Sequence, residues 1–157
     1  QVYLPDFKYM DADLARRCCG APDYPEAAKA AIREMVRQAG PYVLDGDGLL
    51  RSGVLIRHLV LPGEAGAANA LDVIDWVRDT FPPHTVLLSL MGQYVPCGRA
   101  KTMPDLNRPL AEAEYRRVEE YLLWSGFEDG YLQDLSSADT AFIPDFSLQG
   151  VRKKEGD

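Results

Sequence analysis

One segment of the sequence leaves few choices of fold. Residues 54–61 (Val-Leu-Ile-Arg-His-Leu-Val-Leu) are apolar at nearly every position, and Pro62 and Gly63 follow as a stop signal. A strand with one face in water alternates apolar and polar residues, whereas a strand buried on both faces reads as a nearly continuous apolar run. The segment therefore predicts an inner strand of a parallel sheet, in which Arg57 is the charged exception.

Strands and helices alternate along the rest of the chain. Asp11 and Asp23 are expected as the N-caps of the first two helices. Strands separated by helices indicate right-handed βαβ units, and four parallel strands are too few to close a barrel. We therefore predict an α/β fold, a partial (β/α) barrel that forms an open arc of about four parallel strands with helices on the outside. The predicted strands cover residues 2–9, 54–61, 85–90 and 127–132, the helices 11–18, 23–39, 67–79 and 111–125, and a small hairpin 42–50.

Domain organisation follows from the same pattern. Residues 1–150 are predicted to form this single unit, and residues 151–157, which are mostly charged, a loose tail. The chain has no initiator methionine, and its first strand starts at once. We therefore expect the sequence to be a piece of a longer protein.

Charge and hydropathy exclude two classes of partner. The 157 residues include 17 Lys and Arg against 24 Asp and Glu, a net charge of −7 at pH 7. Nucleic-acid binding needs a basic face, so this balance argues against it. No apolar run approaches the ~18 residues of a membrane span, and no signal peptide opens the chain. We expect a cytoplasmic protein that binds neither nucleic acid nor membrane.

The three cysteines carry no metal-site signature. Cys18 and Cys19 are adjacent and Cys97 is distant, and no CxxC pair occurs. Zinc and iron–sulfur sites need several suitably spaced thiolates, so the sequence predicts no metal site in this chain and three free thiols. A glycine-rich phosphate loop, a Ser/His/Asp order and a paired-carboxylate signature are also missing.

Polar residues near the strand ends are the candidate site. Ligands of parallel α/β proteins bind at the carboxyl ends of the strands. Asp6 and Lys8 share one face of the first strand because they are two residues apart. Arg57 needs an anionic partner if buried, either a protein carboxylate or a ligand, and Gln93 follows the third strand. A structural ion pair is the alternative role for Asp6, Lys8 and Arg57.

The two histidines are expected to be structural. His58 lies on the opposite face from Arg57 and is predicted to be a packing residue. His84 lies in a proline-rich loop and is predicted to be exposed to solvent.

Several segments, in order and over almost the whole chain, resemble the later part of radical S-adenosylmethionine (SAM) proteins. The most similar group is the pyruvate formate-lyase-activating-enzyme-like one. The matching segments are residues 4–9 (Leu-Pro-Asp-Phe-Lys-Tyr), 20–24 (Gly-Ala-Pro-Asp-Tyr), 55–63 (Leu-Ile-Arg-His-Leu-Val-Leu-Pro-Gly), 89–96 (Ser-Leu-Met-Gly-Gln-Tyr-Val-Pro), 104–108 (Pro-Asp-Leu-Asn-Arg), the helix around Tyr115, and 142–146 (Phe-Ile-Pro-Asp-Phe).

This resemblance implies a partial (β/α)6 barrel and a cofactor pocket. In the family a [4Fe–4S] cluster binds SAM. One-electron reduction splits SAM to methionine and a 5′-deoxyadenosyl radical, which abstracts hydrogen from a substrate. Asp6 and Lys8 match an Asp-x-Lys pattern that lines the cofactor pocket, and Arg57 matches an arginine near the methionine moiety. At the third predicted strand, activases often carry a histidine where this chain has Met91-Gly92-Gln93, a departure that leaves the substrate undefined.

A second departure concerns the cluster. The family holds it with three cysteines spaced CxxxCxxC and a following glycine-rich segment, and neither occurs in this sequence. We expect SAM and the [4Fe–4S] cluster in the intact protein, supplied by an upstream part, and neither cofactor on this chain alone. The partners implied are a glycyl radical enzyme as protein substrate and an electron donor. A bare edge of the first strand, from Tyr3 to Tyr9, also predicts self-association.

Two other hypotheses stay open. The chain is either a non-catalytic α/β binding module that retains half of the barrel, or an unrelated α/β protein whose match is accidental. Cysteines upstream at CxxxCxxC spacing would exclude the binding module.

Overall fold

A computed structural model describes residues 1–132 of the chain. The predicted charged tail, the predicted boundary at residue 150 and the matching segment 142–146 lie outside these described residues.

The described residues form one open sheet with helices. Strands β1, β3, β4 and β5 run parallel in that order across the sheet, and β2 pairs antiparallel with the beginning of β3. The sheet does not close, so the predicted α/β arc of about four parallel strands is confirmed. The strands are β1 (Val2–Tyr3), β2 (Val43–Leu44), β3 (Leu50–Leu59), β4 (Leu87–Met91) and β5 (Gly130–Leu132); the helices are α1 (Ala12–Cys19), α2 (Tyr24–Ala39), α3 (Glu64–Thr80), α4 (Glu112–Trp124) and a 3-10 helix (Gly98–Thr102).

The first strand is much shorter than predicted. Regular pairing of β1 stops after Tyr3 because Pro5 has no N–H to donate to β3. Pairing then resumes at one isolated position: Arg57 donates its backbone N–H to the Pro5 carbonyl, and Phe7 donates its own to the Arg57 carbonyl, both at 2.8 Å. Asp6 is thereby held in register beside Arg57.

Strand β3, predicted as residues 54–61, begins earlier than predicted. The second arm of the hairpin and the central strand are one continuous element, β3, and Val60 and Leu61 lie beyond its end. Gly53 makes this continuity possible. Its φ is +119°, and a Cβ there would lie 2.5 Å from the Tyr42 Cα, so only glycine allows β2 to approach so closely.

The hydrophobic core lies on one face of the sheet, which we call the helix face. Its fully buried members include side chains from two strands and three helices. Representative members are Val54, Ile56, Leu88, Leu90, Ile32, Val73, Ile74, Val118 and Leu122.

The opposite face, which we call the open face, is only partly covered. The prediction of a strand buried on both faces is therefore wrong. Leu55, Arg57 and Leu59 are only half-buried, whereas Val54 and Ile56, which alternate with them along the strand, are fully buried. Val2 and Leu4, at the edge of the sheet, are 40% and 52% exposed. The helical core packs on the other side, so the apolar run marks a strand with one covered face and one apolar face that is partly open.

Only one of the two predicted N-caps forms its hydrogen bond. The Asp11 carboxylate accepts the Leu14 N–H, as a capping side chain should. Asp23 stands at the start of α2, but its side chain makes no capping bond because its backbone is already in the helical region.

Candidate functional site

Asp6 and Arg57 form an ion pair on the open face, near the carboxyl ends of β1 and β3. Arg57 Nη2 lies 2.7 Å from Asp6 Oδ1, and the two side chains are 41% and 35% exposed. The predicted burial of Arg57 is therefore wrong in extent, although its Nε is buried without a hydrogen-bond partner in residues 1–132. A pair this exposed stabilises the fold by at most about 1 kcal/mol.

Tyr24 of α2 holds the backbone of Asp6 and Lys8. Its hydroxyl accepts the Lys8 N–H at 2.9 Å and donates to the Asp6 carbonyl at 2.8 Å. Both backbone groups point away from β3, toward the free edge of the sheet. The edge predicted to be bare is thus occupied at this point by a tyrosine side chain.

Asn69 of α3 holds the segment that follows. It is 1% exposed, donates from Nδ2 to the Lys8 carbonyl at 3.0 Å, and accepts the Met10 and Asp11 N–H groups at 2.7 and 3.2 Å. Because all three of these hydrogen bonds are made to backbone groups, Asn69 fixes the path of the chain past Lys8 and Tyr9. Neither Tyr24 nor Asn69 was singled out from the sequence.

Two of the four predicted residues are in direct contact. The ion pair joins Asp6 directly to Arg57. Lys8 is exposed and lies two residues beyond Asp6, outside β1. Gln93 is half-buried and lies two residues beyond the end of β4.

A cavity of about 300 Å3 opens beside this edge. The chain at residues 8–9, the end of β3, helix α1 and the 3-10 helix surround the cavity. A small second hydrophobic core packs beside it and contains Leu14, Leu61, Tyr94 and Leu106. Most of its wall is apolar or aromatic. Its charged lining residues are Lys8 and Arg99, and Cys18 and Cys97 contribute thiols.

Burial keeps the ionisable hydroxyls and the inner thiol of the cavity neutral. It raises the pKa of Tyr9 and of Cys18, and it raises the pKa of Tyr94 to about 12. Tyr94 also donates its hydroxyl hydrogen to the Leu106 carbonyl at 2.9 Å. Tyr9, Cys18 and Tyr94 therefore add no negative charge at pH 7, and the charged lining residues are the two cations.

The described residues do not fit a [4Fe–4S] cluster. All three cysteines are free, with Cys18 and Cys19 on α1 and Cys97 before the 3-10 helix. No group of three or more His, Cys, Asp or Glu in residues 1–132 could hold a metal ion. Since a cluster needs cysteine ligation, no step of the chemistry can be assigned through one on this part of the chain.

The two histidines have structural roles. His58 is fully buried, its Nδ1 lies 2.7 Å from the Phe7 carbonyl, and burial lowers its pKa to about 4. It is the neutral packing residue that the sequence predicted. His84 is exposed, as expected, and its Nδ1 lies 3.2 Å from Asp129 Oδ1.

Comparisons with protein-family models, with curated proteins and with solved structures found no match to this chain. The resemblance to radical SAM proteins therefore depends on the sequence segments quoted above. Within the described part of the chain, no helix has the length and apolar character needed to cross a membrane.

Proposed function

We propose that this chain is the C-terminal part of a cytoplasmic radical SAM enzyme of the pyruvate formate-lyase-activating-enzyme-like group. The intact enzyme would bind SAM and a [4Fe–4S] cluster, receive an electron from a donor protein, and abstract hydrogen from a substrate such as a glycyl radical enzyme. When bound, the cofactor supplies the 5′-deoxyadenosyl radical. The chain alone is expected to be inactive.

The Asp6–Arg57 pair on the open face carries this proposal. A charged pair at the carboxyl edge of adjacent parallel strands occupies the position where such folds bind ligands. The half-open apolar face around it, with Val2 and Leu4 exposed at the sheet edge, also fits a surface that packs against further protein.

Within that enzyme, the residues of this chain would bind and orient the cofactor. Asp6 fixes the Arg57 guanidinium, which still has a buried Nε–H to donate. Tyr24 and Asn69 bind the backbone N–H and carbonyl of Lys8, so the base of its side chain is fixed. Cations held in advance stabilise a bound carboxylate without a reorganisation cost.

A non-catalytic binding module is the second candidate. The observation that favours it is the absence, in residues 1–132, of any residue group able to hold a metal, next to a formed cavity. Such a module would bind its ligand in that cavity and carry no radical chemistry.

The coding sequence upstream of Gln1 separates the two candidates. We expect three cysteine codons at CxxxCxxC spacing in the same reading frame. The full-length product, purified anaerobically, should then cleave SAM to 5′-deoxyadenosine. A frame without these cysteines, or a full-length product that cannot cleave SAM after cluster reconstitution, would overturn the radical proposal.

Substitutions in the full-length protein test the role of this edge. Arg57→Ala should lower the rate of SAM cleavage at least about tenfold, while lowering the free energy of unfolding by no more than about 1 kcal/mol. Arg51→Ala is the matched control, because Arg51 lies in the same strand with a side chain 68% exposed. Equal effects of the two substitutions on cleavage would contradict the assignment of Arg57.

A further inference from the structure

The cavity beside the candidate site has a charge opposite to that of the chain. The protein carries a net charge of −7, yet the cavity wall contains two cations and no Asp or Glu. A protein this acidic repels anions in general, so an anion can be held only where basic groups are concentrated.

The two cations have no carboxylate partner in the described part of the chain. The basic residues nearby are already paired, Arg57 with Asp6 and Arg17 with Asp105. Lys8 and Arg99 form no ion pair within residues 1–132. Neither charge is therefore neutralised by an ion pair with the described part of the chain.

The Arg99 side chain lies beside the backbone of α1. Its guanidinium packs on Gly20, the C-cap of α1, and a Cβ at Gly20 would lie 3.2 Å from Arg99 Nη1. The carboxyl end of a helix attracts a cation, and the glycine lets the guanidinium approach. Arg99 thus lines the cavity with its guanidinium next to the carboxyl end of α1.

The rest of the wall selects an apolar body for the ligand. Leu59, Leu61 and Val95 line the cavity together with Tyr9 and Tyr94. The Tyr94 hydroxyl is bound to a backbone carbonyl, so the Tyr94 ring presents mainly carbon to the cavity. The volume of about 300 Å3 is at the lower end of ligand pockets, which suits a single ring.

We propose that this cavity binds a small aromatic carboxylate. The ring would lie among the leucines and tyrosines, and the carboxylate would be bound by Arg99, whose planar fork matches it, with Lys8 as the second cation. The inference does not require the radical function, because binding is a property of this chain and its main anchor, Arg99, is outside the proposed cofactor site.

Calorimetric titration at low ionic strength tests the inference with three ligands of one shape: phenylacetate, phenylacetamide and phenethylamine. We expect saturable one-to-one binding of phenylacetate, at least about tenfold tighter than that of the neutral amide, and no binding of the amine. Equal affinity for acid and amide, or no saturable binding of phenylacetate up to about 10 mM, would overturn it.

Variants then locate the anion. Arg99→Gln should weaken phenylacetate binding about tenfold, and Arg99→Lys, which keeps the charge but loses the fork, by less. Lys101→Gln is the matched control, an exposed lysine in the same 3-10 helix that does not line the cavity. The inference fails if Lys101→Gln weakens binding as much as Arg99→Gln does.

Discussion

Replacing Asn69 with alanine removes three hydrogen bonds from one buried point. The side chain donates to the Lys8 carbonyl and accepts the Met10 and Asp11 N–H groups, at 2.7 to 3.2 Å, and is 1% exposed. Each bond contributes about 1 kcal/mol, and alanine's better helix propensity returns about 0.5 kcal/mol. The expected loss in the free energy of unfolding is about 2.5 kcal/mol.

Urea unfolding followed by tryptophan fluorescence measures this loss. Trp76 packs edge-on against Phe7 and Phe81, with ring centroids 5.1 and 5.5 Å apart, so its emission reports the core. With a slope of about 1–3 kcal/mol per molar urea, the midpoint should fall by about 1 M or more. Asp72→Ala, one turn further along the same helix and exposed, is the control and should change the stability by less than about 0.5 kcal/mol.

Hydrogen exchange gives a local readout for the same variant. The amides of Met10 and Asp11 donate to Asn69 in the wild type, so they should exchange faster in Asn69→Ala than the loss of global stability explains. If these amides stay protected and the stability falls by less than about 0.5 kcal/mol, Asn69 does not organise this segment and the reasoning is wrong.

Three further outcomes are expected. Burial lowers the pKa of His58 to about 4, below its unfolded value of about 6.5. The unfolded chain therefore takes up the proton first, and the stability of the fold decreases as the pH drops through this window. In urea unfolding, the wild type should lose about 2 kcal/mol more than His58→Leu between pH 7 and pH 5. Gly66→Ala should unfold the protein or destabilise it severely, since its Cβ would lie 2.2 Å from the Leu61 carbonyl oxygen, whereas Gly46→Ala, with open space around it, should not. The apolar edge at residues 1–4 should give a mass that rises with concentration in light scattering, and a strict monomer across a wide range would contradict this.

The sheet could be predicted from the sequence because hydrophobic pattern and chain order determine it. The apolar run around Ile56 and the alternation of strands with helices predicted parallel strands in an open arc, and the structure has them. The exposure of the open face was wrongly predicted, since an apolar run does not reveal which faces are covered. Pro5, visible in the sequence, was a sufficient signal that the first strand would be interrupted.

The surroundings of the candidate site were harder to predict. Asn69 is a lone polar residue on the buried stripe of α3, and that misfit could have marked it as a partner for backbone. Tyr24 offered no such signal, because its two contacts depend on how α2 docks against β1. Arg99 likewise offered no signal, because its contact with Gly20 depends on how the 3-10 helix packs against α1.

The hydroxyl of Tyr24 stands where the next strand of the sheet would have to form its bonds. It already takes the Asp6 carbonyl and the Lys8 N–H, the outward-pointing groups at the upper part of this edge. Any strand added beside β1, from this protein or another, can pair with residues 1–4 and must then diverge. The divergence would produce a wedge-shaped gap that widens toward the carboxyl edge, with the backbone of Asp6 and Lys8 as one wall. A single phenol group would thus determine where two neighbouring strands part.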